Sequence, residues 1–421
     1  MRFGLLSMLC AVLAVGCLTF CFPTDAGAVR VGLLLPLSGP MASAGEAARD
    51  AAAMAAAETG TIDLRVADTA GTSEGGRSAA RRLIETEQVH ALAGAMTSPA
   101  ARAAAQTAEA AGVPLLIFGA SATAITETPW HYVFRINPPT EEKFASLGSF
   151  LDRVSPPDRA TAVFCEDRPP AKALSEEWLA ASPTLGLDPL YRIPFVPGLV
   201  DYRPELARAR IKDPALMVLI TAAADGALML RQSREMNLMP SLVLGEAAGF
   251  AAPDFIEKAG KFGEYLCTLV PWAPSALNPG SRRFAEDFHR RFGWVPGHHE
   301  ALSYAAMTVL TDAATRAVAQ NRVAIREALA VTNLPTVCGQ VRFDPKSARP
   351  GQNPSTFLLV QWQSGKLETI WPRDKASAEP VFPFPAWRSR PGLSVPSPKP
   401  PASDSLTPEP AGSPYIKDLK N

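Results

Sequence analysis

"ALAGAMTSPAARAAAQTAEAAGVPLLIFGAS", residues 91–121, leaves a short apolar run through Thr-Ser-Pro, enters a dense alanine-rich segment and emerges in a second apolar run. Read as strand, helix and strand, it is one βαβ unit, and alternation of this kind means a parallel sheet. The pattern continues upstream with "VRVGLLLPL", a helix from about Ala44, "IDLRVAD" and a helix from about Glu74. Both faces of these strands are apolar, as a sheet covered by helices requires.

After "YVFRINPPT" the pattern restarts with "ATAVFCED", a helix around 171–181, "LYRIPFV", a helix near 202–210, "ALMVLIT", a helix from Asp225, and "SLVLGE". A long helical run, 300–320, and the strand-like "TFLLVQWQ" follow without a third complete set of strands, so they return to complete two existing lobes. The expected fold is α/β, with two doubly wound parallel-sheet lobes joined by three crossovers. Lobe 1 takes residues 29–136 and 271–345, and lobe 2 takes 137–270 and 355–390. The crossovers fall near Asn137, near Pro271 and between Asp344 and Ser355. The length, 421 residues, agrees with more than one core, because single cores stop growing at roughly 250–300 residues.

The ends read differently from the lobes. "MRFGLLSMLCAVLAVGCLTFCFPTDAGA" is an export signal, with cleavage after Ala28 starting the mature chain at Val29; in a competing reading Cys17 of "LAVGC" is lipidated. The mature chain then keeps Cys165, Cys267 and Cys338, an odd number that allows one disulfide but no disulfide framework. From Pro391 eight of 31 residues are proline, which predicts a disordered tail, whereas "EPVFPFPAW" before it should dock on a lobe. Lys plus Arg and Asp plus Glu both number 41, so no overall field attracts nucleic acid or anionic lipid.

In open parallel sheets, ligands bind beyond the carboxyl ends of the strands. Thr97 and Ser98 stand at such an end. Pro99 suits the first helical position, which puts Ser98 at the N-cap. Ser98 either caps the helix and nothing more, or joins Thr97 and the free amides of the helix start in holding a carboxylate. Gly119, Ala120 and Ser121 follow the next strand, small residues that let backbone approach a ligand. Glu246 follows a strand of the second lobe, either as an ordinary exposed acid or as the partner of an ammonium. An anion site on one lobe and an acid on the other describe a clamp for a zwitterion.

"VRVGLLLPLSGPMASAGEAARDAA", "GAMTSPAA", "GVPLLIFGASAT", "YVFRINPP", "LMLRQSREMNL", "LGEAAGFAAPDFIEKAG" and "VRFDPK" occur in order over residues 29–387. This ordered set resembles the type I periplasmic solute-binding proteins of ABC importers, in particular the Leu/Ile/Val group. The resemblance implies that Ser98, and Ala120 with Ser121, hold a ligand's carboxylate and amino group. It also implies that Glu246 meets the ammonium and that Met96 and Thr97 line the pocket. Tyrosines of that family fall at Ala44, at Ala222 or Ala223, and at Pro170, and a pocket phenylalanine falls at His299, so the side-chain pocket should be wider than one for leucine.

Competing chemistries have little to stand on. His298, His299 and Glu300 lack further ligands at zinc spacing, so His299 reads as a polar pocket wall or as helix-start surface. "LSGPMASAG" is neither a dinucleotide nor a phosphate loop. The hydroxyls at 97, 98 and 121 have no obvious general base. Trp272 reads as a cleft wall or as core. The expectation is therefore a periplasmic monomer, not an enzyme and without cofactor or metal, that binds an amino-acid-like solute and delivers it to ABC permease subunits in the membrane. A sensing subunit of the same fold is the alternative.

Overall fold

The computed structural model describes residues 28–386. The readings of a leader, of Cys17 and of the proline-rich tail lie outside these residues. The chain opens with β1 (Val29–Leu35), α1 (Ala42–Thr59), β2 (Ile62–Asp68) and α2 (Ser73–Glu85). It continues with β3 (Ala91–Gly94), α3 (Ser98–Ala110), β4 (Leu115–Ile117), α4 (Ala124–Glu127) and β5 (Val133–Arg135). These strands form one five-stranded sheet in the order β2-β1-β3-β4-β5, with every pairing parallel.

The second series is α5 (Thr140–Val154), β6 (Thr161–Glu166), α6 (Pro169–Leu185), β7 (Leu190–Phe195) and α7 (Arg203–Arg210). Then come β8 (Leu216–Ile220), α8 (Ala223–Glu235), β9 (Leu242–Gly245), α9 (Pro253–Ala259) and β10 (Cys267–Val270). The chain then returns through α10 (Ser281–Phe292), α11 (His298–Arg316), α12 (Arg322–Ala330), β11 (Asn333–Thr336) and β12 (Gly339–Arg342). It ends in the hairpin β13 (Leu358–Gln363) and β14 (Lys366–Trp371). The second sheet is seven-stranded, β14-β13-β10-β9-β8-β6-β7, parallel except where β13 pairs antiparallel with β10 and β14.

Alternation along β1 shows why the first sheet needs two layers of helices. Val31, Leu33 and Leu35 pack with α1 and α11 on one face, while Leu34 packs with the alanines of α2 and α3 on the other. α3 buries Ala100, Ala101, Ala104, Ala105 and Ala108. Its small side chains let α2 come close, and a Cβ on Gly76 of α2 would lie 2.4 Å from the carbonyl oxygen of Ala100. The segment after β10 belongs to this first core, since Trp272, Phe284, Phe288 and the inner face of α11 pack with β1. Trp272 is thus core rather than cleft wall: it is 2% exposed and its indole N–H donates to the carbonyl of Val337 at 2.9 Å.

The second core gathers α5, α6, α7 and α8 around β6, β8 and β9, together with Leu359 and Trp362 of β13. Val381 exchanges two hydrogen bonds with the Gln361 side chain, and Phe384 donates its amide to Ser241, so the aromatic-proline segment docks on this lobe. Cys165, Cys267 and Cys338 are all free thiols. Two α/β lobes with largely parallel sheets therefore bear out the expected fold class. Several helix limits differ by a few residues: α6 starts at Pro169 and runs to Leu185, and α11 covers His298–Arg316 rather than 300–320.

Three crossovers join the sheets, and the first and third are bound to each other. The amide of Arg135 donates to Gly351, the amide of Asn353 to Arg135, and the Asn353 and Ser355 side chains to the carbonyl of Ile136. Gln352 adds a bond from its Nε2 to the carbonyl of Asn137 at 3.0 Å.

Candidate functional site

The carboxyl ends of the first sheet are tied into one cradle. Thr97 donates its hydroxyl to the carbonyl of Gly71, in the loop after β2, at 2.8 Å. The Ser98 hydroxyl accepts from the amide of Ala122, in the loop after β4, at 3.2 Å. Thr97, not Ser98, is the N-cap of α3; Ser98 is the first helical residue and Pro99 the second. The one-residue shift follows from Thr97 having extended backbone, φ −102° and ψ 142°, while its side chain is drawn to Gly71. The first turn of α3 therefore has no side-chain cap, and its amides are left toward the cradle.

The loop 119–122 is held from below. Gly119 has φ +92°, a conformation that other residues rarely adopt, and its amide donates to Asn137 Oδ1 at 2.9 Å. Asn137 Nδ2 returns a bond to the carbonyl of Ala120 at 3.0 Å. Arg135 of β5 is fully buried, with its guanidinium donating to the carbonyls of Ala120 and Ala122, to Thr126 Oγ1 and to Gln352 Oε1. All four acceptors are neutral. Burial brings the Arg135 pKa down to about 10, still far above neutrality, so a positive charge stands under the loop.

Ser121 joins this cradle to the second lobe. Its carbonyl accepts the amide of Thr140 at 2.8 Å and the Thr140 hydroxyl at 3.1 Å, and its Oγ lies 3.3 Å from the same hydroxyl. A serine hydroxyl has one proton and two acceptor positions. Ser98 uses an acceptor position on the Ala122 amide, which leaves its O–H to donate to an incoming oxygen, while the single Thr140 hydroxyl proton is divided between the carbonyl and the Oγ of Ser121.

Glu246 directly follows β9, at the carboxyl edge of the second sheet. A side chain on Gly245 would put its Cβ 2.3 Å from the Phe250 ring, so a glycine must precede the acid. The acid is not waiting for a partner: Oε2 lies 3.1 Å from Lys143 Nζ of α5, and Oε1 accepts the Trp178 indole N–H of α6 at 3.0 Å. An acid open to a ligand's ammonium is therefore not what the structure has at this position. Lys143, Trp178 and Arg135 are the residues that sequence reasoning missed.

The remaining sequence candidates take varied positions. Met96 is 4% exposed, in the first core against Gly119, so its side chain is engaged in packing. Ala120 is also buried and contributes its carbonyl. Ala44, in the first turns of α1, is half-buried on the first core. Ala222 is exposed, with its amide donating to Glu166 Oε1 at 2.9 Å, and Ala223 leans on the second core. Ser303 donates to the carbonyl of Ala48 at 2.7 Å, which sets the start of α11 beside the start of α1. There His299 keeps a buried Nδ1 without a hydrogen-bond partner, and its ring lies tilted by 45° against that of His298, with 4.1 Å between centroids. Burial holds the His299 imidazole down to about 4 and His298 well below its ordinary value, so both rings are neutral. Among the described residues no group of three or more His, Cys, Asp or Glu could hold a metal ion.

Comparison with known proteins agrees with this architecture. The family profile described as periplasmic binding protein matches residues 28–366. Leu/Ile/Val-binding protein homolog 7 of Brucella suis is 24% identical over 371 residues, covering 83% of this chain and 93% of that protein. Among solved structures, the branched-chain amino acid transporter substrate binding protein LivJ of Streptococcus pneumoniae, in complex with isoleucine, superposes with a TM-score of 0.66 at 20% identity. It covers 82% of this chain and 100% of its own. An ABC transporter solute binding protein from R. palustris, in complex with benzoate, also gives 0.66, at 18% identity, covering 85% of this chain and 98% of its own.

Proposed function

The chain belongs to the periplasmic binding protein family, and we propose from that premise that it is the substrate-binding component of an ABC importer. Its two lobes close about the three crossovers on a small amino-acid-like carboxylic solute and hand it to a permease in the membrane. The observation that carries this reading is the cradle of lobe 1. The Ser98 hydroxyl, with a proton to give, the Ser121 hydroxyl and the uncapped start of α3 gather at the same loop, above the buried Arg135 guanidinium.

Charge-assisted hydrogen bonds contribute about 1.5–3 kcal/mol each, so a few of them with exclusion of water reach the ~8 kcal/mol of micromolar binding. No bond is made or broken in the solute. The names of the relatives support the reading, since they comprise a Leu/Ile/Val-binding homolog and transporter proteins holding isoleucine and benzoate. Calorimetric titration with a panel of amino acids and small carboxylates tests it. Binding should be saturable, should make the molecule more compact in small-angle scattering, and should weaken on Ser98→Ala; a panel without a single binder overturns it.

A further inference from the structure

At the carboxyl edge of the second sheet the two strand-end acids already carry cations of the protein's own. Glu246 has Lys143 Nζ at 3.1 Å and the Trp178 indole on its other oxygen, with the Lys143 and Glu246 side chains only 9% and 10% exposed. Glu166, the last residue of β6, accepts from Thr221 Oγ1 and from the amide of Ala222 through Oε1, and Arg168 Nε lies 3.9 Å from Oε2. Lys143 lies one helical turn beyond Thr140, the residue bonded to Ser121 of the cradle. The lysine thus comes from the first turn of the helix that begins at the cradle. A third carboxyl, Glu177 on the exposed side of α6, feels the charges of both Lys143 and Glu246.

A ligand ammonium gains little in such a place. To reach Glu246 it must displace Lys143 from a desolvated pair, and a buried charge stripped of its partner costs several kcal/mol. The swap trades one ion pair with Glu246 for another and leaves the Lys143 ammonium uncompensated. We infer that Lys143 stands where an amino acid would put its ammonium, and that the solute is a small monocarboxylate lacking an α-amino group. This rests on the carboxylate cradle proposed above. The carboxylate goes to Ser98, Ser121 and the start of α3, and the body of the solute is aliphatic or aryl, without a second charge for Glu246 to meet.

Calorimetry on the full chain with isocaproate, which is leucine without its amine, with benzoate and with leucine tests this. At least one of the two amine-free acids should bind ten-fold or more tightly than leucine, and Ser98→Ala should weaken that binding. In Lys143→Met, which releases the Glu246 carboxylate, the preference should narrow by ten-fold or more in favour of leucine; Lys143→Arg, which keeps the charge, should retain it and serves if the methionine variant does not fold. Leucine binding the wild type as tightly as both amine-free acids, in a manner sensitive to Ser98→Ala, overturns the role of Lys143 while leaving the cradle standing. Failure of all three probes to bind, or binding indifferent to Ser98→Ala, overturns the cradle and this inference with it.

Discussion

Lys143 and Glu246, 103 residues apart in sequence, form a nearly buried ion pair with 3.1 Å between Nζ and Oε2. Breaking it from one side leaves a buried charge alone. Glu246→Gln should destabilise the protein by about 3 kcal/mol, in the range seen when one partner of a buried pair is removed. The double variant Lys143→Met/Glu246→Gln should recover at least half of that loss. Urea unfolding of the four proteins in a double-mutant cycle measures the coupling, and additive losses would show that the two charges do not depend on each other.

Trp178 is fully buried and gives its indole N–H to the second oxygen of the same acid, with Phe144 edge-on at 5.4 Å between centroids. Trp178→Phe removes the donor and part of the ring volume. A cost of about 2–4 kcal/mol is expected, combining the unsatisfied acceptor with a small cavity. The denaturation midpoint of the ligand-free protein reads it directly.

Arg135→Met leaves two carbonyls, Thr126 and Gln352 without their common donor. The variant should lose about 3 kcal/mol of stability. If it still folds, it should bind its carboxylate at least ten-fold more weakly, because the charge beneath the loop has gone. Arg135→Lys, which keeps the charge but not the fork, should retain more affinity than stability. Equal carboxylate affinity in wild type and Arg135→Met would remove the guanidinium from the binding argument.

His298 and His299 are held neutral by burial, with His299 titrating near 4 instead of 6.5. The unfolded chain takes up protons on both rings near its ordinary pKa, before the folded one does. Stability therefore falls as pH drops below about 6.5, and this contribution levels off only below the folded values. At about pH 5 the loss from His299 should be on the order of 1–2 kcal/mol, with His298 adding to it in the same direction. Replacing both rings with glutamine should flatten the profile between about pH 7 and about pH 5 in chemical denaturation; an unchanged slope would mean that other groups set it.

Much of the architecture was legible because strands covered on both faces must be apolar throughout, and "VRVGLLLPL" and "ALMVLIT" say so in one dimension. The hydroxyls of the cradle were legible too, since Thr97, Ser98 and Ser121 stand where strands stop. What escaped was charge turned inward. Lys143 sits in "TEEKFASLG", which reads as a solvated helix start, and only the packing of α5 against the second lobe turns its amine to Glu246. Arg135 offered a signal that went unused: an arginine inside the apolar run "YVFRINPP" must find acceptors, and the loop carbonyls of Ala120 and Ala122 are among those it takes. The helix start at Ser98 slipped by one residue because Thr97 and Ser98 are equally good caps until Gly71 claims one of them.

The Arg135 guanidinium spans two places at once, gripping the loop carbonyls on one side and Gln352, in the third crossover, on the other. A solute that nudges the loop must therefore tug on the pivot through a single rigid fork. Grip strength and the ease of swinging shut are then geared together, and selection acting at this one side chain cannot adjust the first without also moving the second.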